Sequence, residues 1–285
     1  MSVEQAWACL RGVATGDGFG AQFGLPGDHP DVVGRKLPAA PWRWTDDTEM
    51  ACSVYAVLRR HGQIDQDALA ASFATHYDAD RGYGSGTGRL LNQFRGGESW
   101  RDLAALAFGG GSWGNGGAMR VAPVGAFYGA DLPRVLHNAE RSSVVTHSHL
   151  EGVAGAVAVA VAASLRAVTP HLGGEALLQG VVPFVPPGKV RDSLQTAVRL
   201  IGADDATAAA RLGTGREMAA HDTVPLALWI AARYHHSYED ALWTVAQRAE
   251  DVDTVGAITG GVLAAGAHRY PEEWLRRTEP LPDWI

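Results

Sequence analysis

The stretch GVAGAVAVAVAASL, residues 152–165, decides the fold class of this chain because it is apolar on every side. Its 14 residues fall short of the ~18 that a membrane-spanning helix needs. A helix that is apolar all round is normally buried among other helices. The Ala and Gly residues of this stretch would let its neighbours approach closely, so we place it at the centre of a helical assembly.

Segments on both sides of this stretch show the spacing of amphipathic helices. The clearest is EMACSVYAVLRRHG, residues 49–62, in which the apolar residues form one stripe and Gly62 can end the helix. Similar spacing recurs in residues 224–236, 238–250 and 254–269. Strand alternation is scarce, since VVPFV at residues 181–185 is interrupted by Pro183. We therefore predict a mainly α-helical fold.

Three segments rich in Gly, Pro or both predict loops at residues 25–42, 82–100 and 181–190. None of them has the length and low complexity of a flexible tether between domains, and no fixed-period repeat is present. We therefore predict one compact domain over residues 1–285.

Composition narrows the partners and the compartment. The chain has 24 Lys and Arg against 31 Asp and Glu, a net charge of -7, so it shows no broad basic surface for nucleic acid or anionic membranes. The partner is expected to be a small molecule or a protein. Only Cys9 and Cys52 are present, which fits a reducing compartment. The first residues, MSVEQAWACLRG, lack the pattern of a signal peptide, so we expect a cytoplasmic location.

The stretch WRWTDDTEM, residues 42–50, is unusually acidic for the start of a helix. Asp46 and Glu49 have the spacing of a capping box, and acidic groups at a helix start are stabilised by the helix dipole. That interpretation, however, requires neither Asp47 nor the threonine on each side.

A second acidic cluster, EDVDT at residues 250–254, also precedes an apolar helix and could also be a cap. Taken together, the two clusters supply carboxylate and hydroxyl oxygens, the hard ligands that magnesium and manganese prefer. Four carboxylates are enough for two divalent ions. This hypothesis requires the two helix starts to converge.

The glycine-rich segment GGGSWGNGGAMRVAPVGAF, residues 109–127, is either a surface loop or a loop whose backbone N–H groups approach a phosphate. It matches neither a P-loop nor the dinucleotide fingerprint. His147 and His149 precede the central helix, where a polar contact at the helix start is favoured over a zinc pair because no third soft ligand is nearby.

In this order, five segments resemble the ADP-ribosylglycohydrolase family, which includes the dinitrogenase reductase activating glycohydrolase. They are GVATGDGFGAQFG, WTDDTEM, GSWGNGGAMRVAPVG, THSHLEGVAGAVAVA and EDVDTVGAITGGVLAA, spanning residues 12–265. The resemblance implies a single all-α domain of orthogonal helices with a central cleft for two Mg²⁺ or Mn²⁺ ions.

The resemblance also implies a set of site residues. The metal ligands would be Thr45, Asp46, Asp47, Asp251, Asp253 and Thr254. Asp46 and Asp47 would be the catalytic residues, with Asp46 steering the attacking water or accepting its proton. ADP-ribose would be bound by Ser112, Trp113, Gly114, Asn115, Gly116, Gly117 and His147. Asp17 would position a helix start.

The implied function is a magnesium-dependent hydrolase that cleaves the glycosidic bond between ADP-ribose and an acceptor, either a protein side chain or a small conjugate. One departure stands out: Gly24 occupies the position of the family's usual catalytic glutamate. Glu250, an additional acid beside Asp251, is either a partial replacement or a surface acid. Two alternatives therefore remain open: an ADP-ribose-binding protein without turnover, and a metal-free glycosidase that uses a carboxylate pair.

Overall fold

The structure, a computed structural model, describes residues 2–24, 27–266 and 270–285. Within these ranges every regular element is helical, and the only β-type pairings are two isolated bridges. The prediction of an all-α fold is confirmed. The α-helices are α1 (Val3–Gly20), α2 (Pro30–Val33), α3 (Asp46–His61), α4 (Gln66–His76), α5 (Ser85–Arg95), α6 (Trp100–Leu106), α7 (Gly116–Met119), α8 (Ala122–Tyr128), α9 (Leu132–Val144), α10 (Leu150–Val168), α11 (Gly174–Val181), α12 (Lys189–Arg199), α13 (Asp205–Leu212), α14 (Ala220–Arg233), α15 (Tyr238–Arg248), α16 (Val252–Ala265) and α17 (Glu272–Arg277).

Helix α10 is the central helix. It packs against α8, α9, α14 and α16, and its residues from Ala156 to Ser164 are all buried. Among the described helices it alone is long and apolar enough to cross a membrane by length and composition, but 83% of its apolar window is buried inside the protein. Its role as a buried core helix is therefore as predicted.

Helices α1 and α16 pack in backbone contact along rows of glycines. A Cβ atom on Gly16 would overlap the carbonyl oxygen of Gly256, and one on Gly12 would lie 2.6 Å from the carbonyl oxygen of Gly260. One turn further along α1, a Cβ on Gly20 would lie 2.7 Å from the Cα of Asp253. This register places the carboxyl-terminal half of α1 beside the acidic start of α16.

The loop predicted for residues 82–100 is wrong, because the structure has helix α5 there. Its buried residues Leu90, Leu91 and Phe94 form an apolar face that outweighs the helix-breaking tendency of its glycines. Gly88 is also useful in this helix, since a Cβ there would lie 2.9 Å from the hydroxyl of Tyr77.

The other predicted boundaries need smaller corrections. Residues 181–190 contain a 3-10 helix (Val182–Phe184) and the first turn of α12, and residues 25–42 contain α2. Leu25 and Pro26 lie outside the described residues, as do the last residues of the helix predicted over 254–269. Gly62 ends α3 with a left-handed backbone (φ 68°), as predicted.

Candidate active site

The two acidic helix starts converge on one cavity of about 390 Å³. Asp46 and Asp47 line it from the start of α3, and Asp251, Asp253 and Thr254 line it from the start of α16. The convergence that the metal hypothesis required is therefore present in the fold, and it follows from the packing of α1 between these two helix starts.

Asp17 of α1 holds the start of α3 in place. Its buried carboxylate accepts hydrogen bonds from the backbone N–H groups of Thr45 (2.9 Å) and Thr48 (3.0 Å) and from the Thr48 hydroxyl (2.5 Å). Two donors that α3 itself cannot satisfy are thus capped by another helix. This is the positioning role expected of Asp17.

Thr45, a predicted ligand, does not line the cavity. It is the N-cap of α3, and its hydroxyl lies 2.9 Å from Asp17 Oδ1 and 3.1 Å from Asp47 Oδ2. The Thr45 hydroxyl therefore bridges the carboxylates of Asp17 and Asp47, and it is not part of the cavity lining.

One carboxylate oxygen from each of Asp17, Asp47 and Asp253 lies within 4.8 Å of the other two, and Asp47 Oδ1 is buried without a hydrogen-bond partner among the described residues. A buried oxygen left unpaired, beside other carboxylates, is costly unless a cation is bound. The donor set consists only of oxygens, which suits Mg²⁺ or Mn²⁺. The residues present therefore fit a divalent metal. Asp17 belongs to this cluster, although the sequence indicated only a structural role for it.

Burial and mutual repulsion raise the pKa of four carboxyl groups at this site, those of Asp17, Asp46, Asp47 and Asp251. Burial and the charge of Asp253 raise the pKa of Asp17 to about 7 and that of Asp251 to about 8. Burial, followed by repulsion from Asp17, raises the pKa of Asp46 and of Asp47 well above its usual value. The Asn115 amide donates to Asp251 Oδ2 at 2.7 Å and partly opposes the shift there.

We expect the metal-free protein to lose stability as the pH rises from 6.5 to 8. Over this range the folded chain still holds protons on Asp17 and Asp251 that the unfolded chain has released, so a rise in pH favours unfolding. His147 acts in the opposite direction, but only below its ordinary pKa of 6.5. Thermal unfolding in chelator should show a lower Tm at pH 8 than at pH 6.5, and added Mg²⁺ should reverse the loss. Asp253→Asn should flatten the pH dependence; a Tm that rises with pH in chelator would contradict the prediction.

The predicted capping box of Asp46 and Glu49 is wrong. The N-cap is Thr45, and Glu49 turns away from the helix start to accept hydrogen bonds from the Tyr83 hydroxyl (2.6 Å) and the Asp78 backbone N–H (3.1 Å). Sequence analysis missed this contact because the two partners lie about thirty residues further along the chain. Glu49 thereby holds the segment that contributes Gly82 and Gly84 to the cavity wall.

The glycine-rich segment forms another part of the cavity wall. The predicted residues that line the cavity are Ser112, Trp113, Gly114, Asn115, Gly116 and His147. Gly117 does not line it, because it packs against Ser143. The segment is fixed by backbone hydrogen bonds from Asn115 N–H to Met218 (2.9 Å) and from Ala220 N–H to Trp113 (3.0 Å).

His147 and His149 have different roles. His147 is buried against Gly116, and its Nδ1 lies 2.7 Å from the Thr146 hydroxyl. Burial and the nearby Arg120 lower the pKa of His147 to about 3, so its ring is neutral. His149 caps α10 by accepting the Glu151 N–H at 3.1 Å, which confirms the contact expected at a helix start.

Arg120 was not recognised from the sequence. Its buried guanidinium donates to the carbonyl oxygens of Gly116 (2.9 Å) and Ser142 (2.7 Å) and lies over the ring of Phe73. Arg120 therefore holds in place the backbone of Gly116, which lines the cavity. The RV dipeptide after GGAM gives no local sign of burial, because charged residues are usually exposed.

Met218 is another residue at the cavity that sequence analysis missed. It has a left-handed backbone (φ 51°) and lines the cavity with a largely exposed side chain. Such a conformation is unfavourable for a residue other than glycine. It is supported by Asp222, whose carboxylate accepts the N–H groups of Glu217 (2.8 Å) and Thr214 (3.3 Å).

Neither residue that departs from the resemblance lines the cavity. Gly24 is exposed, and a Cβ there would meet no atom of the described residues within 4 Å. Glu250 is exposed, accepts the Thr214 hydroxyl at 3.0 Å and lies 3.8 Å from Arg216. Glu250 is thus a surface acid, one of the two interpretations, and not a partial replacement for the missing glutamate.

Comparisons with known proteins identify the family of this chain. The sequence matches the ADP-ribosylglycohydrolase family over residues 2–285. It is 29% identical to the ADP-ribosylhydrolase ARH3 of Gallus gallus, over 96% of this chain and 89% of that protein. It is 26% identical to the ADP-ribosylarginine hydrolase Tri1 of Serratia proteamaculans (strain 568), over 96% of this chain and 75% of that protein.

A solved structure supports the same assignment. An ADP-ribosylglycohydrolase-related protein complex superposes with a TM-score of 0.67 at 26% identity, covering 97% of this chain and 93% of that one. The helical fold, the order of the motifs along the chain and the match over residues 2–285 together show that this chain belongs to the ADP-ribosylglycohydrolase family.

Proposed function

We propose that the chain is a magnesium-dependent hydrolase that cleaves the glycosidic bond between the distal ribose of ADP-ribose and an acceptor. The observation that carries this proposal is that two acidic helix starts and a glycine-rich segment line one cavity. The acidic helix starts can bind cations and sugar hydroxyls, and the glycine-rich segment can bind phosphates.

The proposed metal ligands are Thr45, Asp46, Asp47, Asp251, Asp253 and Thr254. Thr45 is the ligand with the weakest geometric support, because its hydroxyl is already engaged behind the cavity. When bound, the divalent ions supply charge that holds the ribose hydroxyls and makes water more acidic. Manganese is the alternative ion, since it takes the same oxygen ligands.

The residues of the chain would divide the remaining work. Asp46 lines the cavity at the first position of α3, where it can orient the attacking water and accept its proton. Because burial raises its pKa, Asp46 can act as this base only when its own proton has been displaced, as it would be with divalent ions bound. Asn115 holds Asp251 by its 2.7 Å hydrogen bond, so that the carboxylates keep a fixed spacing.

The glycine-rich segment would hold the ADP-ribose diphosphate. Ser112 to Gly116 offer backbone and side-chain donors to the cavity without bulky side chains, apart from Trp113. The neutral ring of His147 can contact the ligand without placing an additional charge in the site. Trp113 is 45% exposed at the mouth, where it can stack on a flat group.

The test is hydrolysis of defined conjugates by the pure protein. ADP-ribosyl-arginine, ADP-ribosyl-serine and O-acetyl-ADP-ribose are each incubated with and without chelator. We expect at least one to release ADP-ribose, with the activity lost in chelator and restored by Mg²⁺. Cleavage of none of them, or cleavage that ignores both chelator and Asp46→Ala, would defeat the proposal; turnover that persists in chelator would favour the metal-free glycosidase.

The second candidate is an ADP-ribose-binding protein without turnover, and the exposed Gly24 is the observation that favours it. In that case calorimetry would detect ADP-ribose binding by a chain that cleaves no conjugate. Gly24→Glu should fold normally, since a side chain there meets no neighbour within 4 Å among the described residues. Turnover that begins only in Gly24→Glu would select this candidate.

Trp113→Ala should weaken substrate binding more than it slows chemistry. Loss of one stacked aromatic side chain costs roughly 1 kcal/mol, so KM should rise about fivefold while kcat changes little. Steady-state kinetics on the cleaved conjugate measure both quantities. Trp100→Ala, which removes a tryptophan that donates to Asp67 away from the cavity, is the control. An equal fall in kcat for Trp113→Ala would assign it a different role.

A cytoplasmic location is part of the same proposal. It is supported by the two cysteines, which are buried and form no disulfide.

A further inference from the structure

A second cavity lies between helix α1 and the segment formed by α17 and the residues that follow it. It encloses about 470 Å³, within the range of ~300–1,000 Å³ that is usual for small-molecule sites. Its lining comes from four residues of α1, from Pro41 and from six residues between 275 and 281. Among the described residues, none lines both this cavity and the catalytic one, so a ligand bound here would not occupy the catalytic site.

Three side chains of α1 form a row along this second cavity. Trp7, Arg11 and Thr15 all line it, and they follow one another at intervals of four residues. Residues at this spacing are neighbours on one face of a helix, and the row spans ~12 Å by the helical rise. The cavity therefore presents, in order along the helix, an aromatic ring, a positive charge and a hydroxyl group.

The aromatic end of the row can hold a flat apolar group. The Trp7 side chain is 36% exposed, and its ring is supported by that of Tyr55 on α3, 5.5 Å away. Pro280 and Leu281 line the same cavity and add apolar surface. Aromatic rings favour offset or edge contacts with other rings, so this lining suits a planar apolar ligand.

The charged residues that line the cavity leave it positive. They are Arg11, Arg276 and Glu279. The Glu279 carboxylate is already neutralised, because its two oxygens accept hydrogen bonds from Arg81 at 2.7 and 3.0 Å. Arg276 lies 3.8 Å from Glu272 in an exposed pair, and such surface pairs neutralise charge only weakly. The cavity therefore favours an anion.

Arg11 and Thr15 carry hydrogen-bond donors that no other described residue accepts. The Arg11 guanidinium lies 5.6 Å from the centre of the Tyr270 ring, but it has no hydrogen bond or ion pair in the described part of the chain. The Thr15 hydroxyl is fully buried and has no hydrogen-bond partner there either. A buried polar group without a partner costs free energy, and an acceptor bound in the cavity would remove that cost.

We propose that this cavity binds a small aromatic carboxylate, whose charged group lies at Arg11 and Thr15 and whose ring lies against Trp7. The guanidinium and the hydroxyl donate to the carboxylate, and charge-assisted hydrogen bonds are stronger than neutral ones. A hydrated inorganic anion such as phosphate would leave the apolar lining uncovered. The ligand is additional to the proposed substrate, and its binding does not depend on hydrolase activity.

The test is calorimetric titration of naphthylacetate into the full chain, with naphthylacetamide as the uncharged comparison. The variants are Arg11→Gln and Trp7→Ala, and neither residue lines the catalytic cavity. The matched control is Arg211→Gln, which neutralises an exposed arginine in the last turn of α13, away from the second cavity. Thermal unfolding of each variant verifies that it is folded.

We expect the wild-type chain to bind naphthylacetate with a Kd below about 1 mM and the amide at least about tenfold more weakly. Arg11→Gln should weaken carboxylate binding about tenfold and leave amide binding nearly unchanged. Trp7→Ala should weaken the binding of both about fivefold, whereas the Arg211→Gln control should match the wild-type chain.

Three results of these titrations would overturn the inference. They are no binding of naphthylacetate, equal affinity for the acid and its amide, and carboxylate binding that is unchanged in Arg11→Gln. Unchanged binding in Trp7→Ala would overturn the placement of the ring.

Competition with ADP-ribose locates the bound probe. Excess ADP-ribose should leave the Kd of naphthylacetate within about twofold, because sites without shared residues act independently. Displacement by ADP-ribose would place naphthylacetate in the catalytic cavity and overturn the inference. If the chain binds no ADP-ribose, the proposed function fails, and the Arg11 and Trp7 variants still decide whether the second cavity is a binding site.

Discussion

Asp47→Asn should abolish metal-dependent turnover while making the metal-free protein more stable. Asp47 is buried between the other acidic groups, and one of its oxygens has no hydrogen-bond partner in the described structure. Asparagine keeps the shape but removes the negative charge and one oxygen ligand. We expect turnover to fall by at least about a hundredfold, since even residues that only support metal ligands change activity by ~10- to 100-fold.

The expected change in stability has the opposite sign to the change in activity. It identifies the loss of the carboxylate charge as the cause of both. At pH 8 the carboxyl group of Asp47 is disfavoured in its charged form by burial and by repulsion from Asp17 and Asp46. Its neutral replacement relieves that repulsion, so Tm in chelator should rise. Added Mg²⁺ should then raise Tm in the wild-type chain but hardly in Asp47→Asn.

The matched control is Asp102→Asn, which neutralises an exposed acid in the first turn of α6. It should leave turnover, metal affinity and Tm close to the wild-type values. A variant Asp47→Asn that retains activity, or that gains the same stabilisation from Mg²⁺ as the wild-type chain, would contradict the assignment of Asp47.

Gly16→Ala should destabilise the fold severely and lower metal affinity at the same time. Alanine normally favours a helix over glycine by ~1 kcal/mol. Here the added methyl group would overlap the backbone of Gly256, which cannot move aside as a flexible side chain can. We expect the free energy of unfolding to fall by about 3 kcal/mol, equivalent to a Tm lower by ~6–12 °C for a chain of this size.

Metal affinity should fall because the glycine contact sets the distance between Asp17 on α1 and Asp253 on α16. Thermal unfolding and Mg²⁺ titration of the same sample measure both effects. Gly202→Ala is the control, since a Cβ there meets no atom within 4 Å in the described part of the chain and its backbone is not left-handed; its effect should stay below ~1 kcal/mol. Wild-type stability in Gly16→Ala would show that the helices are not held in this register.

Local patterns predicted several of the helices, but they missed α5 and did not specify the contacts between helices. The central helix was recognisable from its unbroken apolar run, and Gly62 ended α3 as expected because both signals are contained within one helix. The prediction of a loop at residues 82–100 was wrong. A glycine there, such as Gly88, allows a neighbouring side chain to pack closely against a helix, and it need not mark a turn. Glycine content alone does not separate these two uses.

The candidate site was predictable in its residue types and less so in its geometry. The acids at 46, 47, 251 and 253 could be selected from oxygen chemistry and from the family resemblance, and all four line the cavity. The trans-capping role of Asp17, the turn of Glu49 toward Tyr83 and the burial of Arg120 depend on partners distant in sequence. No local pattern specifies such partners.

The most direct test of the central claim is calorimetric titration of Mg²⁺ into the metal-free protein at pH 7 in two buffers of different ionisation enthalpy. If the acidic helix starts form the metal site, binding should saturate at two ions per chain. Protons should be released, because Asp17, with a pKa raised to about 7, and Asp251, with a pKa raised to about 8, hold them in the metal-free state. Absence of Mg²⁺ binding, or binding without proton release that persists in Asp47→Asn, would contradict the claim.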